Sequence, residues 1–261
     1  MEETPTSTNN IKCHSCGETG EGFKHCGRCK KVAYCSITCQ KKAWKTHKWV
    51  CVSLSTPRHK VERFTVSAIQ NKIDSARPGE VIEIPAGTYS GNGTITIKKP
   101  LHLLGEDMDD VIINADLKVA DAPTSGGTLV VANLSIEGIV DVHSTSYGKI
   151  TFQSFEVSCP PHLTEKGKDA FSITHSGGKI LLSCCEIIGG SDGVMITGSN
   201  KVHITETDIS YCSSRGIFAN DYFVIEDSCV YNCGSYGIKG RAGWDEKGEN
   251  QIQPGPWDSF R

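Results

Sequence analysis

The chain has 261 residues, of which 38% are hydrophobic and 22% charged, and 27 basic and 30 acidic side chains give it a formal net charge of −3. This is the composition of a globular protein with one large or two small domains, and its longest apolar runs fall far short of the roughly 18 residues of a membrane span. The N-terminal stretch MEETPTSTNN is polar and acidic and lacks the apolar core of a signal peptide. We therefore expect a reducing, intracellular location in the cytoplasm or nucleus, with residues 1–12 disordered.

A dense group of cysteines follows, because seven of the 13 cysteines lie between residues 13 and 51. The first four form two CxxC pairs, Cys13 with Cys16 and Cys26 with Cys29. Two thiolates in such a tight turn can converge on one metal ion, and glycines such as Gly17 tolerate the positive φ that the turn needs. Each pair is therefore interpreted as a metal-binding knuckle.

The second half of this segment predicts helical metal ligands. Two further pairs are four residues apart, Cys35 with Cys39 and His47 with Cys51. This spacing puts each pair on one face of a helical turn, and the run SITCQKKAWKTHKWV contains neither glycine nor proline. Two knuckles and two helical pairs supply eight ligands, enough to saturate two tetrahedral Zn²⁺ ions. Sites with no open position are structural, so we expect zinc to hold the fold and no residue to be catalytic.

Three alternatives explain the cysteine pattern less completely than two zinc ions do: disulfides, a redox centre and a nucleic-acid-binding patch. Disulfides require an oxidising compartment and leave the ligand spacing of His47 to chance, and a redox pair requires only one knuckle. Residues 13–51 also carry eight Lys or Arg against two Glu. Seven thiolates and two Zn²⁺ ions together contribute −3, which offsets about half of that excess of six cations. The remainder is too small to predict nucleic-acid binding.

The order of these ligands, with Gln40 and Trp44 between them, resembles the MYND zinc finger. The resemblance implies two interleaved ligand sets: Cys13, Cys16, Cys35 and Cys39 on one ion, and Cys26, Cys29, His47 and Cys51 on the other. It also implies that the finger binds short proline-containing peptides, with Gln40 and Trp44 at the peptide groove. As an alternative, Trp44 belongs to the small core between the two zinc sites.

A polar, proline-containing stretch, residues 52–63, is predicted to be a linker. After it, apolar residues recur at helical steps between Phe64 and Ala76, and Pro78 and Gly79 end the pattern. This predicts one amphipathic helix. From Val81 onward only short alternating runs remain, broken by Gly, Asn, Asp and Pro, which predicts a series of strands.

Three segments near the C-terminus repeat one another at a period of 21 to 23 residues. Leu182, Ile204 and Ile225 occupy one repeated position, Ile187, Ile209 and Val230 a second, and Gly193, Gly216 and Gly237 a third. Such a period of short strands predicts a solenoid in which each repeat forms one coil and equivalent residues stack about 4.8 Å apart. Leucine-rich repeats have a similar period but would show several leucines at fixed offsets, which are absent.

These repeats, and the stretch AIQNKIDSARPGEVIEIPAGTY before them, resemble the right-handed parallel β-helix of the pectin-lyase-like superfamily. The resemblance implies a mostly β fold over residues 64–241, with the amphipathic helix capping the open end of the solenoid. Residues 242–261 are assigned to a polar C-terminal tail. The predicted architecture is therefore a small α+β finger with two zinc ions, followed by a capped β-helix.

Enzymes with this fold place clustered acids on neighbouring coils, so stacked carboxylates are the candidates for chemistry on the solenoid. The repeat stacks Glu206 on Asp227 and Glu186 on Asp208, and we expect both pairs to face solvent and stay ionised. Ser214 and Ser235 are expected in the register of Asp192, which would leave it without a partner acid.

The favoured hypothesis is an interaction adaptor whose partners are a protein or a proline-containing peptide at the finger and a second partner on the β-helix. A membrane partner is not expected. The alternatives are a carbohydrate-binding or carbohydrate-active β-helix, with a glycan as the ligand, and a transcriptional or chromatin-associated regulator.

Overall fold

The computed structural model describes residues 11–20, 22–26, 31–36, 38–40, 42–43, 63–122, 126–175, 178–198, 201–241 and 243–252. The chain divides into two compact units, Met1–Val61 and Glu62–Arg261. Of the segment predicted to be disordered, only Ile11 and Lys12 are described, and they form a strand. The predicted linker lies outside the described residues except for Arg63. No helix in the described ranges is long and apolar enough to cross a membrane.

The N-terminal unit is built from two short hairpins and a helical segment. Strand β1 (Ile11–Lys12) pairs antiparallel with β2 (Thr19–Gly20), and β3 (Lys24–His25) pairs antiparallel with β4 (Ala33–Tyr34). Residues 38–40 and 42–43 are helical. The buried apolar residues of the described part are Cys13, Cys26, Ala33, Tyr34 and Ala43, which are too few to hold a fold of this size.

The C-terminal unit is a right-handed parallel β-solenoid of about eight turns, and the chain is mostly β, as predicted. Its helices are α1 (Val66–Ser75) and α2 (Pro161–Thr164). Its first strands are β5 (Arg63–Thr65), β6 (Val81–Ile84), β7 (Gly87–Ile97), β8 (His102–Gly105), β9 (Val111–Ala120), β10 (Thr128–Glu137), β11 (Val140–Ser144) and β12 (Lys149–Ser158). The next are β13 (Phe171–His175), β14 (Lys179–Ser183), β15 (Glu186–Ile188), β16 (Asp192–Thr197), β17 (Lys201–Thr205) and β18 (Asp208–Ser210). The last are β19 (Arg215–Ala219), β20 (Phe223–Glu226), β21 (Cys229–Tyr231), β22 (Tyr236–Gly240), β23 (Trp244–Lys247) and β24 (Gln251–Ile252).

The repeat predicts the register of the stacked core residues correctly. Leu182 pairs with Ile204 and Ile204 with Ile225, each one coil further along the axis. All three are fully buried, as are the stacked Ile187, Ile209 and Val230. The coil pattern also continues into the segment assigned to the tail, since β23 and β24 pair in parallel with β20 and β21. A solenoid strand needs only its neighbour, so even a polar sequence extends the ladder.

Helix α1 caps the first coil with both apolar and polar contacts. Val66, Ile69 and Ile73 are buried against the core. The Gln70 amide accepts a hydrogen bond from the Thr96 N–H at 2.8 Å and donates one to the Thr96 carbonyl at 3.1 Å. These bonds replace the strand that this edge of β7 lacks, which protects it from pairing with another chain. Phe64, predicted in this helix, instead lies in β5 and stacks on Tyr89 at 5.0 Å between ring centroids.

One inward column of the solenoid changes from apolar to polar along the chain. On earlier coils it holds Leu134 and Phe155, and on later coils Thr207 and Ser228, both 0% exposed. Thr207 Oγ1 accepts a hydrogen bond from the Cys185 N–H at 3.3 Å, and Ser228 Oγ accepts one from the Thr207 N–H at 3.1 Å. Each hydroxyl thus satisfies a buried backbone donor of the coil before it.

Replacing Thr207 by the isosteric valine is expected to lower the free energy of unfolding by about 1–3 kcal/mol, because the Cys185 N–H loses its buried acceptor. Urea unfolding followed by circular dichroism measures the change. Thr205→Val, on the outward side of the same turn, is the matched control and should differ little from wild type. Equal midpoints for the two variants would show that the hydroxyl ladder contributes nothing.

Candidate metal centre

Four cysteine sulfurs converge in the N-terminal unit. The Sγ atoms of Cys13, Cys16, Cys35 and Cys39 all lie within 4.8 Å of one another. The Sγ of Cys35 is 3.6 Å from that of Cys16 and 3.4 Å from that of Cys39. A tetrahedral ion with metal–sulfur bonds of about 2.3 Å holds its sulfurs roughly 3.8 Å apart. The four side chains therefore fit one Zn²⁺ ion with little movement.

Short-range backbone contacts position these sulfurs. Gly17 adopts a φ of 78°, and its N–H donates to the Cys13 carbonyl at 3.0 Å, which closes the turn that carries Cys16. Cys35 directly follows β4. The Ser36 hydroxyl accepts a hydrogen bond from the Cys39 N–H at 3.1 Å, and so caps the helical turn that carries Cys39. Sequence reasoning overlooked Ser36, although a serine three residues before a helical position is a typical N-cap signal.

Crowding of the thiols favours binding of a cation. Burial raises the pKa of Cys13, but the backbone N–H groups of Cys16, Cys35 and Ser15 more than offset it and bring the pKa to about 6. The neighbouring sulfurs of Cys39 and Cys16, together with burial, raise the pKa of Cys35 to about 12. The sulfurs that neighbour Cys35 therefore oppose its ionisation, and a positive charge among them would favour it. A divalent ion held by Cys13, Cys16, Cys35 and Cys39 would supply that charge.

The second predicted ligand set is described only at Cys26. This side chain is 1% exposed, and its backbone N–H donates to the Val32 carbonyl at 2.8 Å. Cys29, His47 and Cys51 lie outside the described residues, as does Trp44. Gln40 is half-buried on the helical turn, directly after Cys39.

On the solenoid, the predicted carboxylate pairs stack as expected but differ in exposure. Glu206 and Asp227 are exposed in left-handed turn positions, with φ of 49° and 47°. Glu186 and Asp208 pair in register and are half-buried, so this pair faces solvent less than predicted.

The predicted neighbour of Asp192 is wrong by one residue. Arg215, not Ser214, pairs with Asp192. Gly193 and Gly216 occupy equivalent positions on adjacent coils, so the residues directly before them pair as well. Arg215 donates to Asp192 through Nε at 2.8 Å and Nη2 at 2.6 Å. Asp192 is only 2% exposed, so this bidentate pair occupies both of its oxygens.

Two family models match the chain. Residues 13–51 match the MYND finger, and residues 125–245 match the right-handed beta helix region. The chain is 31% identical over 102 residues to Tudor domain-containing protein 1 of Mus musculus, covering 36% of this chain and 8% of that protein. It is 44% identical over 45 residues to histone-lysine N-methyltransferase Smyd1 of Mus musculus, covering 17% and 9%. The chain thus spans less than a tenth of the length of either relative.

Among solved structures, pectin methylesterase PemA from Erwinia chrysanthemi aligns with a TM-score of 0.44 at 17% identity, covering 64% of this chain and 61% of that one. The coils, the sulfur cluster and the two family models agree on the organisation of the protein. The chain carries a MYND finger over residues 13–51 and a right-handed β-helix that includes residues 125–245.

Proposed function

We propose that this protein is a zinc-dependent adaptor, in which the finger captures proline-containing peptides and the β-helix offers a surface to a second partner. The convergence of four sulfurs within 4.8 Å is the observation that supports it. Four thiolates fill the coordination sphere of one Zn²⁺, so no position is left for a substrate or an activated water. The ion therefore shapes a binding surface. Free thiolates persist in reducing compartments, which supports an intracellular location.

A second zinc ion, held by Cys26, Cys29, His47 and Cys51, is part of the proposal. The burial of Cys26 supports this second site, because a structural metal ligand lies inside the fold and not on its surface. Two interleaved ions also compensate for the small apolar core of this unit.

The peptide groove is proposed at Gln40 and Trp44. These residues are four apart in a stretch whose sequence predicts a helix, and that spacing would place both on the same face. A flat aromatic ring suits the proline ring, and a side-chain amide can bond the peptide backbone on both sides of a residue that has no N–H. Gln40 directly follows Cys39, one of the four clustered cysteines, so the proposed groove lies next to the metal centre in sequence.

Gln40→Ala and Trp44→Ala are each expected to weaken binding of a proline-rich peptide by about tenfold or more, since aromatic and buried polar anchors dominate small interfaces. Isothermal titration calorimetry with the zinc-loaded full chain measures the affinity. Lys42→Ala is the matched control, because Lys42 is exposed in the same helical segment as Gln40. Wild-type affinity in a zinc-loaded Trp44→Ala variant would favour the alternative role of Trp44 as a core residue.

We propose the β-helix as a binding surface and not as a carbohydrate-active enzyme. The bidentate contact of Arg215 with Asp192 supports this, because a carboxylate with both oxygens engaged is a poor proton donor or nucleophile.

A further inference from the structure

One outer face of the β-helix carries positive charge and apolar side chains but no acid. It lies on four consecutive coils, on β10, β12, β14 and β17, and we call it the lysine face. It consists of the outward residues, every second one, of the segments 128–132, 149–153, 179–183 and 201–205. Lys149, Lys179 and Lys201 pair in register at the starts of the last three strands, and all three are exposed.

The described part of the chain provides no counter-charge for these three lysines. None of them forms an ion pair with a carboxylate there, whereas Arg215 is bound to Asp192, and His203 Nε2 lies 3.1 Å from Glu226 Oε2. Strand pairing holds the lysines about 4.8 Å apart from coil to coil, and like charges on adjacent strands destabilise a sheet. An anionic partner would relieve this repulsion.

A column of mostly apolar side chains lies beside the lysines. Val130 and Leu181 are half-buried, and Thr151 lies between them and pairs with both. Thr151 is 6% exposed, and its buried Oγ1 has no hydrogen-bond partner among the described residues. An unsatisfied buried hydroxyl destabilises the free protein, and the backbone of a bound chain can satisfy it. The face therefore offers apolar contacts and a hydrogen-bonding group as well as charge.

These features fit a peptide better than a nucleic acid or an anionic polysaccharide. Three lysines provide about three phosphate contacts, whereas firm binding of DNA uses about 6–10. The outward residues of the lysine face include no Arg, Trp, Tyr or Phe on which a base could stack. Val130 and Leu181 suit apolar side chains, which neither a phosphate backbone nor a polyuronate carries.

We propose that the lysine face binds an extended, acidic protein segment whose carboxylates contact the three lysines and whose apolar side chains pack on Val130 and Leu181. In an extended chain, residues two apart point to the same side and lie about 6.8 Å from each other. The lysines span about 9.6 Å over two coil steps, so two or three carboxylates at this spacing lie within reach of their flexible stems. The contact identifies the second partner of the adaptor and rests on that proposed function.

Fluorescence anisotropy with a labelled peptide of alternating Glu and Leu tests this on the zinc-loaded full chain. Binding is expected at about 0.02 M salt and should weaken at about 0.5 M, because salt screens exposed ion pairs. A peptide of alternating Lys and Leu should not bind, although the net charge of −3 would favour it in a purely general attraction. No binding of the Glu/Leu peptide, or equal binding of both peptides, would overturn the proposal.

Lys149→Ala/Lys179→Ala/Lys201→Ala is expected to weaken binding of the Glu/Leu peptide at least about tenfold. The matched control is Lys98→Ala/Lys166→Ala/Lys168→Ala, which removes the same charge at exposed lysines elsewhere and should bind like wild type. Equal loss in both variants would refute the lysine face as the site.

Thr151→Val distinguishes a role in binding from a role in the fold. It should weaken peptide binding without lowering the urea midpoint of the free protein, because the hydroxyl bonds to nothing described there. Wild-type affinity in this variant would remove Thr151 from the site.

Trp44→Ala separates this contact from the finger, and that variant should bind the Glu/Leu peptide as wild type does. Binding of a proline-rich peptide without binding of the Glu/Leu peptide would refute the acidic partner alone. The reverse result would refute peptide capture by the finger and leave the lysine face as proposed. Tighter binding of oligothymidylate or polygalacturonate through the same three lysines would assign the face to a nucleic acid or a glycan and overturn the proposal.

Discussion

Chelation of zinc is expected to unfold residues 13–51 and to leave the β-helix folded. The described part of the finger contains only five buried residues, whereas structural zinc in small fingers contributes on the order of 10–16 kcal/mol. The β-helix has its own continuous core, which runs from Val66 to Val230 and contains none of the predicted ligands. Metal loss should therefore remove the structure of one unit only.

Limited proteolysis with mass spectrometry, before and after addition of a chelator, locates the unfolded segment. New cleavage is expected between residues 10 and 52 and not in the β-helix. Cys39→Ser should have the same effect, while Cys184→Ser, at an exposed cysteine of the β-helix, should have none. Elemental analysis of the untreated chain is expected to return two equivalents of zinc. One equivalent would exclude the second ligand set, and an unchanged digestion pattern would exclude zinc as the organising element of the finger.

Phe152→Ala is expected to destabilise the β-helix by about 3–5 kcal/mol, the cost of a large cavity in a packed core. Phe152 is 0% exposed. Its ring lies 4.8 Å from that of Phe171 and 5.1 Å from that of Phe155, and the side chain stacks on the equivalent Val131 and Leu182 of the adjacent coils. A cavity there interrupts the stack in both directions along the axis, so neighbouring coils are weakened together.

Urea unfolding measures this loss as a shift of the transition midpoint. Phe152→Leu should recover more than half of the loss, since leucine fills most of the volume. Tyr222→Ala removes an aromatic ring that is 47% exposed and should cost less than about 1 kcal/mol. Similar losses for Phe152→Ala and Tyr222→Ala would mean that stacking inside the solenoid does not dominate its stability.

At the metal site, residue spacing predicted the pairs of ligands but not which pairs share an ion. The positions of Cys13, Cys16, Cys35 and Cys39 predicted thiol pairs, because a CxxC turn and a helical turn are local structures. Which pair joins which required the family resemblance, since no spacing rule relates residues separated by a hairpin. In the structure, the bridge of Cys13 with Ala33, with the His14 N–H donating to the Ala33 carbonyl at 2.9 Å, and the cap at Ser36 place Cys35 and Cys39 beside the first knuckle.

Residue patterns alone predicted the class of the fold and the stacking partners of the core, because a solenoid repeats one local pattern and buries the same position of each coil. They did not reveal the contact of Arg215 with Asp192 or the hydroxyl ladder at Thr207 and Ser228. These contacts depend on the register between coils and on which side of each strand faces solvent, so they become visible only in the three-dimensional structure. A shift of one residue in that register reverses which side chains meet.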